Sequence, residues 1–299
     1  MPDLDLNDVR EIRARHPEAI AEAARKRTSR SLLGDDGRLV LIAADHPARG
    51  AVAVGDRAQA MADREELLER LVVGLSRPGV DGVLGTADIL DDLLLLGALE
   101  GKVVIASTNR GGLQGASFEL DDRFTACDAA SVADMGYHGG KMLCRIDPDD
   151  DGTVRTLEAC AHAVTDFAER GLVAMVEPFM SSRHQGRLTN DLTPDAVIRS
   201  IGIASALGAT SRHTWLKLPV VDDLDRVMKA TTLPTLLLGG DPVGSPDERY
   251  ASWEKALAIP GVRGLVVGRA LLYPPDDDVA AAVDVASSLT HDDSAGRFG

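Results

Sequence analysis

Short apolar runs of four to six residues alternate with longer amphipathic segments along most of the chain. Runs that are apolar on both faces are typical of buried parallel strands, and apolar residues that recur every three or four positions are typical of helices. The pattern predicts eight strands, at residues 39–44, 80–85, 103–107, 141–146, 172–176, 214–218, 235–238 and 264–267. A helix is predicted after each strand, at residues 64–75, 88–99, 125–135, 153–170, 194–207, 222–230, 247–258 and 278–289.

A further helix is predicted ahead of these units, at residues 7–27, with Asn7 as its candidate N-cap. Eight strand–helix units within 299 residues predict an α/β fold, a single (β/α)8 TIM barrel with an extra N-terminal helix. We divide the chain into a helical extension (1–37), the barrel (38–290) and a tail (291–299). A doubly wound open sheet is the alternative, but the segment after its first strand, Asp45-His46-Pro47-Ala48-Arg49-Gly50, is not a glycine-rich phosphate loop.

The charge of the chain narrows its partners. The formal net charge is −15, so nucleic acid and anionic membrane surfaces are not expected to bind. The longest apolar stretch, residues 93–99, is too short to span a bilayer, and the acidic N-terminus does not resemble a signal peptide. The three cysteines have no CxxC spacing and are expected to be buried and reduced. A cytoplasmic protein that acts on a small molecule is the expectation.

Active sites of such barrels lie at the carboxyl ends of the strands. Lys217 is the sharpest candidate there, because it lies in an apolar strand and only six of the 32 basic residues are lysines. A buried lysine with a lowered pKa can attack a carbonyl carbon. The alternative is that Lys217 points outward and extends between helices to solvent.

Three further groups are candidate catalytic residues. Lys141 shares a strand face with Arg145; if that face is inward, its charge would make Lys217 easier to deprotonate. Glu177 ends strand 5, where we expect apolar surroundings to raise its pKa for general acid/base work. Asp45 has the same position on strand 1. Lys141 facing a helix, and structural ion pairs for the two carboxylates, remain open alternatives.

The ends of the last two strands are candidate phosphate-binding loops. Gly239 and Gly240 follow one strand, and Gly268 and Arg269 follow the other. Glycine allows a phosphate to approach backbone N–H groups, and arginine binds phosphate through two parallel hydrogen bonds. The alternative is that these glycines serve only the turns. We expect His46 and Arg145 to contact the substrate as well, although His46 can equally be structural.

No metal or cofactor is predicted. Of the seven histidines, only His46 and His184 fall near the expected end of the barrel, and no HxH, HExxH or paired-cysteine spacing occurs. Aspartate and glutamate ligands for a weakly held ion remain open.

Five short motifs carry a resemblance to a known group. The motifs are Ala43-Ala44-Asp45-His46, Lys141-Met142-Leu143, Val176-Glu177-Pro178-Phe179, Leu216-Lys217-Leu218-Pro219-Val220 and Val266-Val267-Gly268-Arg269-Ala270. The chain resembles class I aldolases of the deoxyribose-phosphate and tagatose-bisphosphate aldolase type, related to archaeal-type class I fructose-bisphosphate aldolases. The likeness spans about residues 38 to 290 and is closest to an actinobacterial branch associated with inositol catabolism.

The resemblance implies that Lys217 forms a Schiff base, that Lys141 and Glu177 handle protons, and that Asp45 is a polar site residue. It implies phosphate binding near Gly240, Gly268 and Arg269, and a homo-oligomer. The expected activity is cleavage of a phosphorylated keto sugar or keto sugar acid to dihydroxyacetone phosphate and an aldehyde. A candidate substrate is 5-dehydro-2-deoxygluconate 6-phosphate, whose carboxylate would bind Arg110 or Arg183, two residues that depart from the family pattern.

Two other functions fit the same residues. A sugar-phosphate isomerase or epimerase would use Glu177 and Asp45 as acid and base, without a Schiff base. A non-catalytic barrel would bind a phosphorylated ligand and turn nothing over. Chemistry at Lys217 separates both from the aldolase.

Overall fold

Eight parallel strands form the centre of the molecule. The computed structural model describes residues 5–240 and 244–291. The strands within that part of the chain are β1 (Leu39–Ala43), β2 (Gly82–Gly85), β3 (Val103–Ser107), β4 (Gly139–Ile146), β5 (Val173–His184), β6 (Arg187–Asp191), β7 (Thr214–Pro219), β8 (Thr235–Leu238) and β9 (Val262–Val267). All except β6 pair in parallel, in the order β4-β3-β2-β1-β9-β8-β7-β5, and β4 also pairs with β5. The sheet therefore closes, which confirms the predicted (β/α)8 barrel.

Side chains on the strands alternate between the barrel interior and the surrounding helices. Leu41, Met175 and Trp215 belong to an apolar cluster inside the barrel, whereas neighbours such as Ile42 pack with the helices. Because the period is two, the same parity turns Glu177 and Lys217, two residues further along their strands, toward the barrel axis. The fold therefore positions the polar groups directly above the inner core.

The helices surround the sheet. They are α1 (Leu6–Arg15), α2 (Glu18–Lys26), α3 (Arg64–Ser76), α4 (Ala87–Leu95), α5 (Ala129–Asp134), α6 (Gly152–Glu169), α7 (Pro194–Ser205), α8 (Leu224–Met228), α9 (Pro246–Leu257), α10 (Arg269–Leu272) and α11 (Val279–His291), with a 3-10 turn at Pro47–Arg49. The predicted tail begins at the last residue of α11; its remainder, residues 292–299, lies outside the described residues.

The prediction of one leading helix at residues 7–27 is wrong. The segment forms two helices, α1 and α2, separated at His16 and Pro17. Proline has no N–H to donate and disfavours helical backbone at the residue before it, and His16 has φ −139° and ψ 54°. The N-cap of α1 is Asp5, whose side chain accepts from the N–H of Asp8, and not Asn7.

The fifth strand is longer than predicted. The sequence pattern ends it at Val176, whereas β5 continues to His184 and turns back as β6, an antiparallel hairpin at the mouth of the barrel. Gln185 and Gly186 form the turn with φ of 50° and 80°. Polar residues dominate β6, so its sequence lacks the apolar pattern of a buried strand.

The N-terminal extension covers the amino end of the barrel. Leu32 and Leu33 pack against the inner apolar cluster, and Arg30 Nη1 lies 2.6 Å from Asp81 Oδ1. Asp81 Oδ2 in turn accepts from the backbone N–H of Val40 on β1. The extension thus closes the end of the barrel that is opposite to the expected active site.

His291 joins α11 to this closed end, and its contribution to stability is expected to depend on pH. Its Nε2 lies 3.1 Å from Asp81 Oδ2, and its Nδ1 contacts Asp36. The carboxylates of Asp81 and Asp36 raise the pKa of His291 to about 9, against the effect of burial. Because the folded pKa is above the unfolded value near 6.5, the contribution is fully present below about pH 6.5 and is lost as pH rises through 9.

The variant His291→Gln should therefore be less stable than the wild type by about 1 kcal/mol at pH 6, a figure reduced for the partial exposure of the ring. Urea unfolding at pH 6, 8 and 10 measures the difference, which should shrink toward zero at pH 10. A difference that grows with pH would contradict the assignment.

No helix in the described part of the chain is long and apolar enough to cross a membrane.

Candidate active site

A cavity of about 710 Å³ opens at the carboxyl ends of the strands. All four predicted catalytic residues line it: Asp45, Lys141, Glu177 and Lys217. All four are buried, with relative exposures between 2% and 8%. The strand parity described above turns them inward, so the alternative in which Lys217 points outward between helices does not hold.

The amine of Lys217 contacts a carboxylate. Nζ of Lys217 lies 3.0 Å from Oε1 of Glu177, and the other carboxylate oxygen of Glu177 contacts Nζ of Lys141. The pairing of Val176 with Leu216 places β5 and β7 side by side at this level. One glutamate therefore bridges two buried lysines.

A second carboxylate extends the chain of charges. Nζ of Lys141 lies 3.1 Å from Oδ2 of Asp45, which also accepts from Nη2 of Arg110 at 2.8 Å. Ser107 donates its hydroxyl to the same Asp45 oxygen and accepts from Nε of Arg110. Lys217, Glu177, Lys141, Asp45 and Arg110 thus form one continuous network of alternating sign.

The electrostatics of this network correct one prediction. Burial alone would raise the pKa of Glu177, as expected from the sequence, but attraction to Lys141 and Lys217 outweighs it and lowers the pKa to about 2. Burial alone would raise the pKa of Asp45 as well. Attraction to Lys141 and Arg110 outweighs burial, so this pKa is well below its ordinary value. Both carboxylates are ionised at neutral pH.

Burial lowers the pKa of Lys141, and the nearby cations Lys217 and Arg110 add to the effect, against Asp45 and Glu177. His46 behaves similarly: burial first, then repulsion from Arg269 and Lys217, lowers its pKa to about 3. His46 is therefore a neutral imidazole at neutral pH. Its Nδ1 lies 3.9 Å from Oδ1 of Asp45, and the ring lines the cavity.

Asn109 holds the upper part of β4 in place. Its amide donates to the backbone oxygen of Leu143, and its Oδ1 accepts from the backbone N–H of Leu143 at 2.8 Å. The backbone pairing of β3 with β4 ends at Ser107 and Lys141, so this side chain continues the ladder. Asn109 thereby fixes the strand that carries Lys141.

The predicted phosphate-binding residues Gly239, Gly240, Gly268 and Arg269 all line the cavity. Packing also requires two of the glycines: a Cβ on Gly268 would overlap the backbone oxygen of Ala43, and one on Gly239 would overlap Val267. Gly240 has φ 64°, which favours glycine. Asp241, which follows them, lies outside the described residues. Phosphate binding here stays a prediction.

The arginines predicted to meet a substrate differ in position. Arg110 and Arg145 line the cavity and are buried, but Arg110 is paired with Asp45 and Arg145 with Glu119. Arg183 is outside the cavity lining: it donates to the backbone oxygens of Gly186 and Ser117. The hairpin that carries Arg183 instead brings Arg187 to the cavity.

Several lining residues were missing from the sequence-based prediction: Arg49, Glu119, Arg187, Leu188, Arg249 and Ser252. Arg49 lies one short turn after β1, so its distance from the strand end was a usable signal. Glu119 lies in the middle of the long loop between β3 and α5, where sequence spacing does not locate a side chain.

Among residues 5–240 and 244–291, no group of three or more His, Cys, Asp or Glu side chains is arranged to hold a metal ion. The absence of a metal or cofactor therefore remains a prediction.

Fold and site together define a (β/α)8 barrel whose carboxyl end carries a buried lysine–glutamate–lysine cluster in an open cavity. The chain belongs to the Cgl0159-like family, whose model matches residues 37–287. The crystal structure of Cgl0159 from Corynebacterium glutamicum is similar throughout. The two sequences are 58% identical, 96% of this chain and 97% of that chain are covered, and the TM-score is 0.94.

More distant solved structures share the fold. A Schiff-base-forming fructose-1,6-bisphosphate aldolase is 18% identical, with a TM-score of 0.66 over 91% of this chain and 100% of that one. A fructose-bisphosphate aldolase from Slackia heliotrinireducens is 14% identical, with a TM-score of 0.65 over 93% of this chain and 86% of that one. A search of curated protein sequences finds no match. These likenesses show that the chain shares its (β/α)8-barrel fold with those aldolases.

Proposed function

We propose that the protein is a class I aldolase in which Lys217 forms a Schiff base with a phosphorylated ketose. The observation that carries the proposal is the position of Lys217: buried inside the barrel, open to the cavity, and 3.0 Å from Glu177, which also contacts Lys141. The fold shared with Schiff-base-forming aldolases supports it, as does the resemblance of the five strand motifs.

In the proposed reaction the ammonium group of Lys217 gives a proton to a base, its neutral amine adds to the keto carbon, and loss of water leaves an iminium ion. A base removes the proton of the hydroxyl group at the β-carbon, the carbon–carbon bond breaks, and its electron pair enters the iminium to form an enamine while the aldehyde leaves. Protonation of the enamine at carbon and addition of water then release the ketone and regenerate Lys217. The iminium is the electron sink, so we propose that no cofactor is needed.

The proton-handling roles follow from the charges. Glu177 was expected to be the base, but a carboxylate with a pKa of about 2 is a weak base. We propose that Lys141, whose pKa burial lowers, carries the proton and that Glu177 links it to Lys217. Asp45 also contacts the Lys141 amine, at 3.1 Å.

For the substrate we propose a phosphorylated keto sugar acid, such as 5-dehydro-2-deoxygluconate 6-phosphate of inositol catabolism, cleaved to dihydroxyacetone phosphate and an aldehyde. Its phosphate would be held by the backbone of Gly240 and Gly268 and by Arg269. A cytoplasmic homo-oligomer completes the proposal.

Borohydride trapping tests the mechanism. We expect incubation with dihydroxyacetone phosphate followed by borohydride to leave a reduced adduct on Lys217, mapped by peptide mass spectrometry, and none when the ketone is omitted. An adduct on Lys141 would keep the chemistry and exchange the roles of the two lysines. Absence of an adduct with a panel of ketose phosphates would contradict the Schiff base and favour an isomerase or epimerase that uses Glu177 and Asp45.

A further inference from the structure

Two arginines on one side of the cavity have buried N–H groups without a hydrogen-bond partner. Nη1 of Arg49 and Nε of Arg145 are shielded from solvent, and neither meets an acceptor within the residues that the structure describes. Arg145 is buried, with a relative exposure of 4%, and both side chains line the cavity that holds Lys217. A buried donor without an acceptor is costly, so an acceptor brought to these side chains by a ligand in the cavity would be stabilising.

Glu119 fixes the guanidinium group of Arg145 and lies beside that of Arg49. Its Oε1 accepts from Nη1 of Arg145 and lies 3.7 Å from Nη1 of Arg49, while its Oε2 accepts from the backbone N–H of Gly115 at 2.8 Å. Nη2 of Arg145 donates to the backbone oxygen of Glu119 at 2.8 Å. These bonds occupy both terminal nitrogens of Arg145, and its Nε–H is the donor that remains without an acceptor.

The charge around this pair favours a monoanion. Burial lowers the pKa of Arg49, and repulsion from Arg145 and Arg110 adds to the effect, so an anion beside Arg49 would relieve an existing strain between cations. Glu119 already neutralises one of the two guanidinium groups, and Asp122 lies 3.9 Å from Nη2 of Arg145. A dianionic phosphate would add two charges beside these carboxylates, whereas a carboxylate adds one.

We propose that Arg49 and Arg145 form a binding subsite for a carboxylate group of the substrate. The two arginines that the sequence predicted to bind the substrate carboxylate are less suited to it. Arg110 is paired with Asp45, and Arg183 lies outside the cavity lining. Arg145 and Arg49 supply N–H groups from the end of β4 and from the loop after β1, and a planar carboxylate accepts such donors well.

The barrel topology gives the orientation of the ligand. β4 is four strands from β9 in either direction around the closed sheet, so Arg145 lies across the mouth from Gly268 and Arg269. A chain with a carboxylate at one end and a phosphate at the other would therefore span the mouth above Lys217. The phosphate end of this arrangement rests on the proposed function; the carboxylate end does not require the Schiff base.

The test compares the binding of two six-carbon ligands by calorimetry. 6-Phosphogluconate carries a carboxylate and a phosphate, and glucitol 6-phosphate has a CH2OH group in place of the carboxylate. Neither is a ketone, so neither can react with Lys217, and borohydride trapping can fail without affecting the result. We expect the wild-type protein to bind the acid at least about tenfold more tightly, as charge-assisted hydrogen bonds allow.

The variant Arg49→Gln should lose most of that preference and bind glucitol 6-phosphate as the wild type does. Arg145→Lys keeps the positive charge but loses the Nε–H donor. This variant should also reduce the preference for 6-phosphogluconate over glucitol 6-phosphate, although Arg49 is intact. Arg155→Gln is the matched control, because Arg155 contacts Asp121 in the same loop from outside the cavity and is half exposed. It should retain the full preference.

Three outcomes would overturn the inference. Equal affinity of the wild-type protein for 6-phosphogluconate and glucitol 6-phosphate would contradict the carboxylate subsite. Failure of both ligands to bind at millimolar concentration would contradict it too. Tighter binding of glucitol 1,6-bisphosphate than of 6-phosphogluconate, lost in Arg49→Gln, would show that the subsite takes a phosphate group instead.

Discussion

The variant Lys217→Met is expected to reduce kcat by at least about 10⁴-fold on any ketose phosphate that the wild-type protein cleaves, as when other enzymes lose a covalent nucleophile. Methionine is similar in length to lysine and is compatible with the buried position of Lys217, which is 4% exposed. The loss should therefore come from the missing amine and not from unfolding. Coupled assay of dihydroxyacetone phosphate release measures the rate, and thermal unfolding checks the fold.

Lys102→Met is the matched control. Lys102 lies at the amino end of β3, where its Nζ donates to the backbone oxygen of Val80 at 2.6 Å, far from the cavity lining. This variant should keep kcat within about threefold of the wild type, because most effects away from a site are small. A Lys217→Met protein that retains more than a tenth of wild-type activity would rule out Lys217 as the nucleophile.

The barrel and its central lysine were predictable from the sequence because both depend on local pattern. Continuous apolar runs identify parallel strands, and the period of two then decides which side chains face inward. The shared inner face of Trp215 and Lys217 can therefore be predicted from their own strand alone. The same period places Glu177 on the inner face, two positions after Met175, whereas the face of Lys141, which opens its predicted strand, was left open by the sequence.

The features of the site that the sequence pattern did not predict depend on contacts between segments that are distant in the sequence. The pKa of Glu177 was expected to rise, because its own neighbours in sequence are apolar; it falls because Lys141 and Lys217 come from two other strands. The role of Glu119 depends on the path of a long irregular loop. The hairpin of β5 and β6 was missed because its polar residues carry no apolar alternation.

The variant Glu177→Gln is expected to be less stable than the wild-type protein by about 3 kcal/mol or more at pH 7. Glu177 is the shared counter-ion of Lys141 and Lys217, and removing one partner of a buried ion pair leaves uncompensated charge in a low dielectric. Glutamine keeps the volume of the side chain, so packing losses should be small. Urea unfolding monitored by circular dichroism measures the difference.

The pH dependence of that difference follows from the shift. The folded pKa of Glu177, about 2, is below its ordinary value of 4.5, so the contribution should be constant above about pH 5 and be lost as the pH falls toward 2. A double-mutant cycle with Lys141→Met separates charge from packing. If the destabilisation is electrostatic, adding Lys141→Met to Glu177→Gln should recover about 1–3 kcal/mol relative to the sum of the single variants. Strict additivity would mean that Glu177 stabilises the barrel by packing, and that Lys141 and Lys217 do not depend on it for their charge.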